Sequence, residues 1–216
     1  MAEEKVRPRS TRIERGRVNQ WGGFFAPRKY GSPKNPPAQL ARNVTQDAKT
    51  PLEEARAIYD YVTDTMRYDK SGEGWGRGDA IYACDAHRGN CTDFHSLIIG
   101  MARASNIPAR FVMGFPMPGD RVSGEIPEYH CWAELCVDGL GWLPMDSSEA
   151  SKHPEKRETL FGGLDANRIA FTHGRDLRLE PPASRPLNFF VYPHVEVDGV
   201  EHVKVRRGLS FVEIKV

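Results

Sequence analysis

Gly89-Asn90-Cys91-Thr92-Asp93-Phe94-His95-Ser96-Leu97-Ile98-Ile99-Gly100-Met101-Ala102 is the stretch on which the rest of the chain is organised. Phe94, Leu97, Ile98, Met101 and Ala102 recur at i, i+3, i+4, i+7 and i+8, the spacing of one buried helical stripe. A helix is expected from about Cys91 to Ser105, stopped by Asn106 and Pro108. Cys91 opens it, so its sulfur lies at the positive end of the helix dipole, where a thiolate is favoured over a thiol.

Upstream, Thr50-Pro51-Leu52-Glu53 carries an N-cap, a proline at the first helical position and a capping-box acid. Ala55, Ile58, Tyr59, Val62 and Met66 follow at helical spacing, which predicts a helix over about 51–66. The glycine-rich run 71–78 ends it. No strand precedes that run and no Gly-Lys-Ser/Thr follows, so it reads as a loop and not as a phosphate cradle. Gly31–Pro37 is dense in turn residues and also reads as a loop. Downstream the pattern changes to strands. Arg110–Phe115 is one, and Tyr129–Val137 joins Gly141–Met145 through Asp138-Gly139, a hairpin signature. Asn188–Val197 and Val200–Val205 flank a second Asp-Gly turn, and Phe211–Val216 alternates well enough to close a sheet. Helices first and antiparallel strands later predict an α+β fold.

Composition bounds the function classes. The 216 residues hold 30 Lys+Arg against 29 Asp+Glu, a net charge of +1, which argues against a general nucleic-acid binder. No apolar run approaches the roughly 18–20 residues of a membrane span. No apolar h-region follows the first residues, which fits a cytoplasmic protein and equally the mature form of an exported one. Residues 1–30 carry eight basic and three acidic side chains, and they read as a solvated terminus or as an arm for nucleic acid or anionic lipid. Four cysteines (Cys84, Cys91, Cys131, Cys136) are too few for a disulfide scaffold. Cys131 and Cys136 face opposite sides of one strand, with Cys131 turned away from His130 into the core; a Cys84–Cys136 disulfide has no support in the pattern.

Cys91, His130 and Asp146 stand out together. A catalytic thiol needs an imidazole as proton acceptor and a third group that fixes the ring's tautomer and direction. His130 opens one strand of the first hairpin and Asp146 closes the other, so both fall near one end of it. A helix N-terminus packed there would complete a Cys-His-Asp constellation.

Three blocks, Gly89–Ser96, Tyr129–Glu134 and Gly141–Asp146, resemble the signatures of the transglutaminase-like superfamily, in particular its short bacterial cysteine-peptidase type. The resemblance covers roughly residues 50–195. It implies a papain-related core in which the helix bearing the nucleophile packs on an antiparallel sheet. It implies Cys91 as nucleophile, His130 as general base and then acid, and Asp146 as orienter. The implied reaction is acyl transfer on a peptide or protein amide through a thioester, resolved by water or an amine, with no cofactor. The second oxyanion donor beside the Cys91 N–H is sought among Tyr82, Trp75 and Asn90, with Tyr82 preferred. The implied organisation is a basic, Pro/Gly-rich extension over 1–49 and a catalytic domain over 50–216. The chain has no room for the flanking β-sandwich domains of the large cross-linking relatives and carries no Asp-x-Asp-x-Asp-Gly calcium loop.

Two other readings remain at this point. Cys84, His87, Cys91 and His95 have near-zinc spacing and would make a structural metal module, although the ligands alternate instead of pairing. The same fold could also serve as a non-catalytic binding module. His95 reads as a neighbour of the site or as a polar helix position. Trp132, with Trp142 and Phe115, reads as cleft lining or as core.

Overall fold

The computed structural model describes residues 35–126 and 128–214, so the basic stretch 1–30 lies outside the described residues. The centre of the fold is α4 (Cys91–Ala104), preceded by α1 (Pro36–Val44), α2 (Pro51–Thr65) and α3 (Ala80–Ala86). A two-residue parallel bridge joins β1 (Arg67–Tyr68) to β2 (Arg88–Gly89) directly ahead of α4. The main sheet is antiparallel and contains β3 (Ala109–Pro116), β5 (His130–Val137), β6 (Gly141–Met145) and β7 (Arg168–His173), in the order β6-β5-β3-β7. This is the expected α+β class.

Thr50 caps α2 by accepting from the Glu53 N–H, and Pro51 occupies the first turn, as the sequence pattern requires. Pro36 likewise fills the first turn of α1 behind Asn35, which makes no side-chain cap bond; a loop was expected over Gly31–Pro37, of which 31–34 lie outside the described residues. Turn-forming residues and helix-initiating residues are the same residues, and here they start a helix. Packing therefore begins upstream of residue 50, with α1 set against α4, α2 and α3.

The expected single stripe on α4 understates its burial. Every residue from Cys91 to Ala102 is buried, because α4 lies between the sheet and the three helices that precede it. Phe94, Leu97, Ile98 and Met101 are fully enclosed, each side chain worth roughly 1.5–3 kcal/mol of burial. The last third departs most from the pattern. Asn188–Pro193 is not a strand; Phe189, Val191 and Tyr192 pack onto the core as irregular chain. The second Asp-Gly turn closes only β8 (Glu196–Val197) on β9 (Val200–Glu201). β10 (Ser210–Val212) pairs with β4 (Ser123–Glu125) and not with the main sheet, whose fourth strand is the unforeseen β7. Between β6 and β7, α5 (Ser147–Lys152) was also unforeseen, although Asp146-Ser-Ser-Glu149 has the form of a helix start.

Candidate active site

The start of α4 is built as a rigid platform. The Asn90 side chain accepts from the Thr92 N–H at 3.0 Å, and the Asp93 carboxylate accepts from the Asn90 N–H at 3.0 Å, a reciprocal capping box. The Asp93 carboxylate also accepts from the N–H groups of Gly76 and Gly78 at 2.7 and 3.3 Å, which ties the glycine-rich loop to the helix. Gly89 sits at φ +153, and a Cβ there would meet Asp93 Oδ2 at 2.2 Å, so this position needs glycine. Cys91 is the first helical residue, and its N–H has no acceptor within the helix.

His130 opens β5 opposite Gly114 of β3. Its Nε2 lies 2.6 Å from Asp146 Oδ2, which leaves Nδ1 for the Cys91 thiol. Asp146 is fully buried at the end of β6 and caps α5, with Oδ1 accepting from the Ser148 hydroxyl and the Glu149 N–H, each at 3.0 Å. The same carboxylate accepts from Arg168 Nη1 on β7. His95, one turn into α4, is fully buried, with Nε2 3.4 Å from Asp146 Oδ1 and Nδ1 3.6 Å from the Cys131 sulfur.

The charges follow from these contacts. The Cys91 thiol is held well below its ordinary range. A hydrogen bond from Cys131 is the largest cause; burial opposes it, and His130 adds a hydrogen bond and its charge. Burial works against a charged His130, but the charge and hydrogen bond of Asp146, followed by those of Cys91, push it up to about 10. Asp146 stays well below the usual carboxylate range despite its burial, because His130 and His95 face it. Cys131 is driven upward by burial and by the neighbouring Cys91 charge, so it remains a thiol donor.

A consequence for folding can be measured. Unfolded, the imidazole titrates near 6.5 and the thiol near 8.5. The His130 contribution is complete below about 6.5 and is lost as pH rises through about 10. The Cys91 contribution is complete above about 8.5 and is lost as pH falls through its lowered folded value. Between about 6.5 and 8.5 the two chain states bind equal numbers of protons at this pair, so thermal stability should plateau there and fall on both sides. Cys91→Ala should abolish the acid-side fall and move the alkaline one down to begin near 6.5. Melting curves collected across pH 5–10 check this, and identical profiles for the two proteins would count against the charged pair.

The other sequence-predicted residues divide. Trp75 donates its indole N–H to the Gly72 carbonyl at 3.1 Å. Tyr82 packs its ring over Gly74, with its hydroxyl buried and without a hydrogen-bond partner among the described residues. Asn90 keeps Nδ2 aimed at the Tyr129 hydroxyl, at 3.4 Å. Trp132 and Phe115 are buried at 3% and 4% exposure, so they belong to the core and not to an open cleft. Trp142 is half-buried under the Arg110 guanidinium. The zinc reading is overturned: among the described residues no group of three or more His, Cys, Asp or Glu is placed to hold a metal. Cys84 sits on α3, His87 ends that helix beside Tyr61, and only Cys91 and His95 belong to the site. All four cysteines are free, so Cys84 and Cys136 are not bridged.

Cys131 does face away from His130, but the face it takes is the one against α4. That places it beside Cys91, Thr92 and His95. Arg168 was missed entirely, for it has no local signal. Tyr129 was also missed as a neighbour of the site: its hydroxyl lies 3.3 Å from Thr92 Oγ1, and it borders a cavity of about 380 Å³ with Phe189, Phe190 and Tyr192. Among the described residues no helix is long and apolar enough to cross a membrane.

Comparison with known proteins adds three findings. A family model described as the transglutaminase-like superfamily matches residues 38–147. An uncharacterized protein of Haemophilus influenzae is 32% identical over 69% of this chain and 49% of its own length, and the uncharacterized protein YebA of Bacillus subtilis is 24% identical over 53% and 18%. The chain thus spans half or less of these relatives. The periplasmic domain of TgpA from Pseudomonas aeruginosa is similar at 22% identity, covering 64% of this chain and 49% of that domain, with a TM-score of 0.47.

Proposed function

The chain belongs to the transglutaminase-like superfamily, and from that premise we propose that it is a thiol-dependent enzyme acting on amide bonds of peptides or proteins through Cys91, His130 and Asp146. The observation that carries this reading is the 2.6 Å contact of His130 Nε2 with buried Asp146, which commits that nitrogen and turns Nδ1 to a cysteine at a helix N-terminus.

In the proposed reaction the Cys91 thiolate attacks the amide carbon, forming the C–S bond as the carbonyl π pair moves onto oxygen. The Cys91 N–H faces that oxyanion, and loss of one such donor typically costs about 10²–10³ in rate. Asn90 is the best placed second donor of the three candidates, since capping fixes its Oδ1 and orients Nδ2. The C–N bond breaks as the His130 Nδ1 proton passes to the departing amine, leaving a thioester. Water then attacks, with its proton going to His130, and the C–S bond breaks to return the thiolate and release the acid. An amine in place of water gives transamidation by the same steps. The cavity bordered by Tyr129, the residue before His130 in the chain, offers room for a substrate side chain.

The test is labelling of the full chain with peptidyl acyloxymethyl ketones and glutamine-mimic electrophiles, followed by peptide mapping. Modification is expected at Cys91 and should vanish in Cys91→Ala. If Cys84, the least buried of the four thiols, reacts as fast as Cys91 with every probe, the proposal falls.

A further inference from the structure

Asp146 has more cationic company than an orienting aspartate requires. Its Oδ2 faces two cationic donors, His130 Nε2 and Arg168 Nη1, while Oδ1 accepts from Ser148 and the Glu149 N–H. Arg168 comes from β7, beyond the segment that matches the family. Its side chain is only 7% exposed, and its Nε and Nη2 are fixed by Asp165 at 3.2 and 3.0 Å. Its guanidinium carbon lies 5.8 Å from the Trp132 ring. An arginine buried to this degree normally has a specific anionic partner.

Resting on the triad reading above, we propose that Arg168 is a positioning residue: a permanent cation that keeps Asp146 ionised and sets the pH range in which Cys91 and His130 form a charged pair. The guanidinium does not lose its proton in any working range, whereas His130 does during turnover. When His130 gives its proton away, Asp146 would otherwise be a fully buried carboxylate facing no permanent positive charge, a state that burial strongly disfavours. Arg168 supplies that charge throughout the cycle. The same charge disfavours a proton on His130 and favours the thiolate of Cys91. Removing it should raise the titrations of both, since each then loses a neighbouring positive charge.

The groups facing Asp146 are few. His130 approaches from β5, His95 from α4, Arg168 from β7 and Glu149 from α5, with Tyr59 of α2 near enough to feel its charge. Cys91 and Cys131 lie beyond the imidazoles, and Asp165 lies behind the guanidinium. Arg168 is the one group of permanent positive charge among them.

The experiment measures the second-order rate of Cys91 alkylation by iodoacetamide against pH, on the full chain, for wild type, Arg168→Met, Arg168→Gln and Arg168→Lys. Melting curves are recorded in parallel. Both neutral variants should move the acid and the alkaline limbs upward together by about one pH unit, a roughly tenfold slower reaction on the acid limb. Arg168→Lys keeps the charge and should leave both limbs near wild type even if it melts earlier. Arg168→Gln retains donors for Asp146 and Asp165, so it decides the matter if the methionine variant does not fold. Limbs that stay in place in a folded neutral variant overturn the proposal, because a purely structural arginine would change only the melting temperature. A wild-type Cys91 that titrates like a free thiol would sink the triad reading itself, which is a different and recognisable result.

Discussion

Asp146→Asn is expected to lower amide turnover by about 10⁴-fold, the scale seen when an orienting carboxylate becomes an amide with the geometry kept. The reason lies in what surrounds it. The hydrogen bonds of that carboxylate all come from donors: His130 and Arg168 on Oδ2, Ser148 and the Glu149 N–H on Oδ1, with His95 Nε2 3.4 Å from Oδ1. An asparagine has one oxygen to offer. If that oxygen keeps capping α5, the amide N–H₂ faces His130 Nε2, and the ring answers by moving its proton to Nδ1. His130 then cannot take a proton from Cys91 or from water. If the oxygen turns to His130 instead, the N–H₂ meets the Glu149 N–H and the cap is lost. Either orientation also takes one of its two anionic partners from buried Arg168 and leaves it Asp165 alone, a further loss of stability. The variant should therefore melt well below wild type, and turnover is compared at a temperature where circular dichroism shows both folded. A loss under tenfold in folded protein would remove Asp146 from the mechanism.

Much of this site was legible in the chain because its parts announce themselves locally. Asn90-Cys91 with Asp93 writes its own capping box, and Thr50-Pro51 supplies the N-cap and first turn of α2, so both helices and the cysteine's place on α4 follow from neighbours in sequence. The hairpin carrying His130 and Asp146 is declared by its Asp-Gly turn and by alternation along β5. What escaped was set at long range. β7 exposes most of its residues, so no buried alternation marks it, and Arg168 finds its partner 22 positions away. Phe189, Val191 and Tyr192 have the composition of a strand, yet they bury their side chains without pairing their backbone. Period-two alternation assigned Cys131 to the correct face of β5; which helix covers that face is a fact of packing that no spacing reveals.

His130→Ala separates the two causes that hold Cys91 as a thiolate, and the expected effect is large. With His130 gone, the Cys91 thiol loses both a hydrogen bond and a positive charge, while the burial that opposes ionisation remains. Its titration should climb toward the free value of about 8.5, with the Cys131 hydrogen bond still holding it down in part. At pH 6 a thiol with the free value is ionised to well under about 1%, so the thiolate fraction there falls as the titration climbs. A more basic thiolate is intrinsically the better nucleophile, which offsets part of the loss. The net fall in iodoacetamide labelling at pH 6 should be on the order of 10–100-fold, with the rate restored near pH 9. Cys131→Ala is the needed companion. The Cys131 hydrogen bond is the larger single influence on Cys91, so its removal should also raise the thiol's titration, yet the imidazole remains to protonate the leaving amine. The two variants should thus look alike in alkylation and part company in amide turnover, where His130→Ala is the far more damaging change. If labelling at pH 6 survives His130→Ala but collapses in Cys131→Ala, the thiolate is held by its neighbouring thiol and the helix N-terminus, and His130 is not its partner.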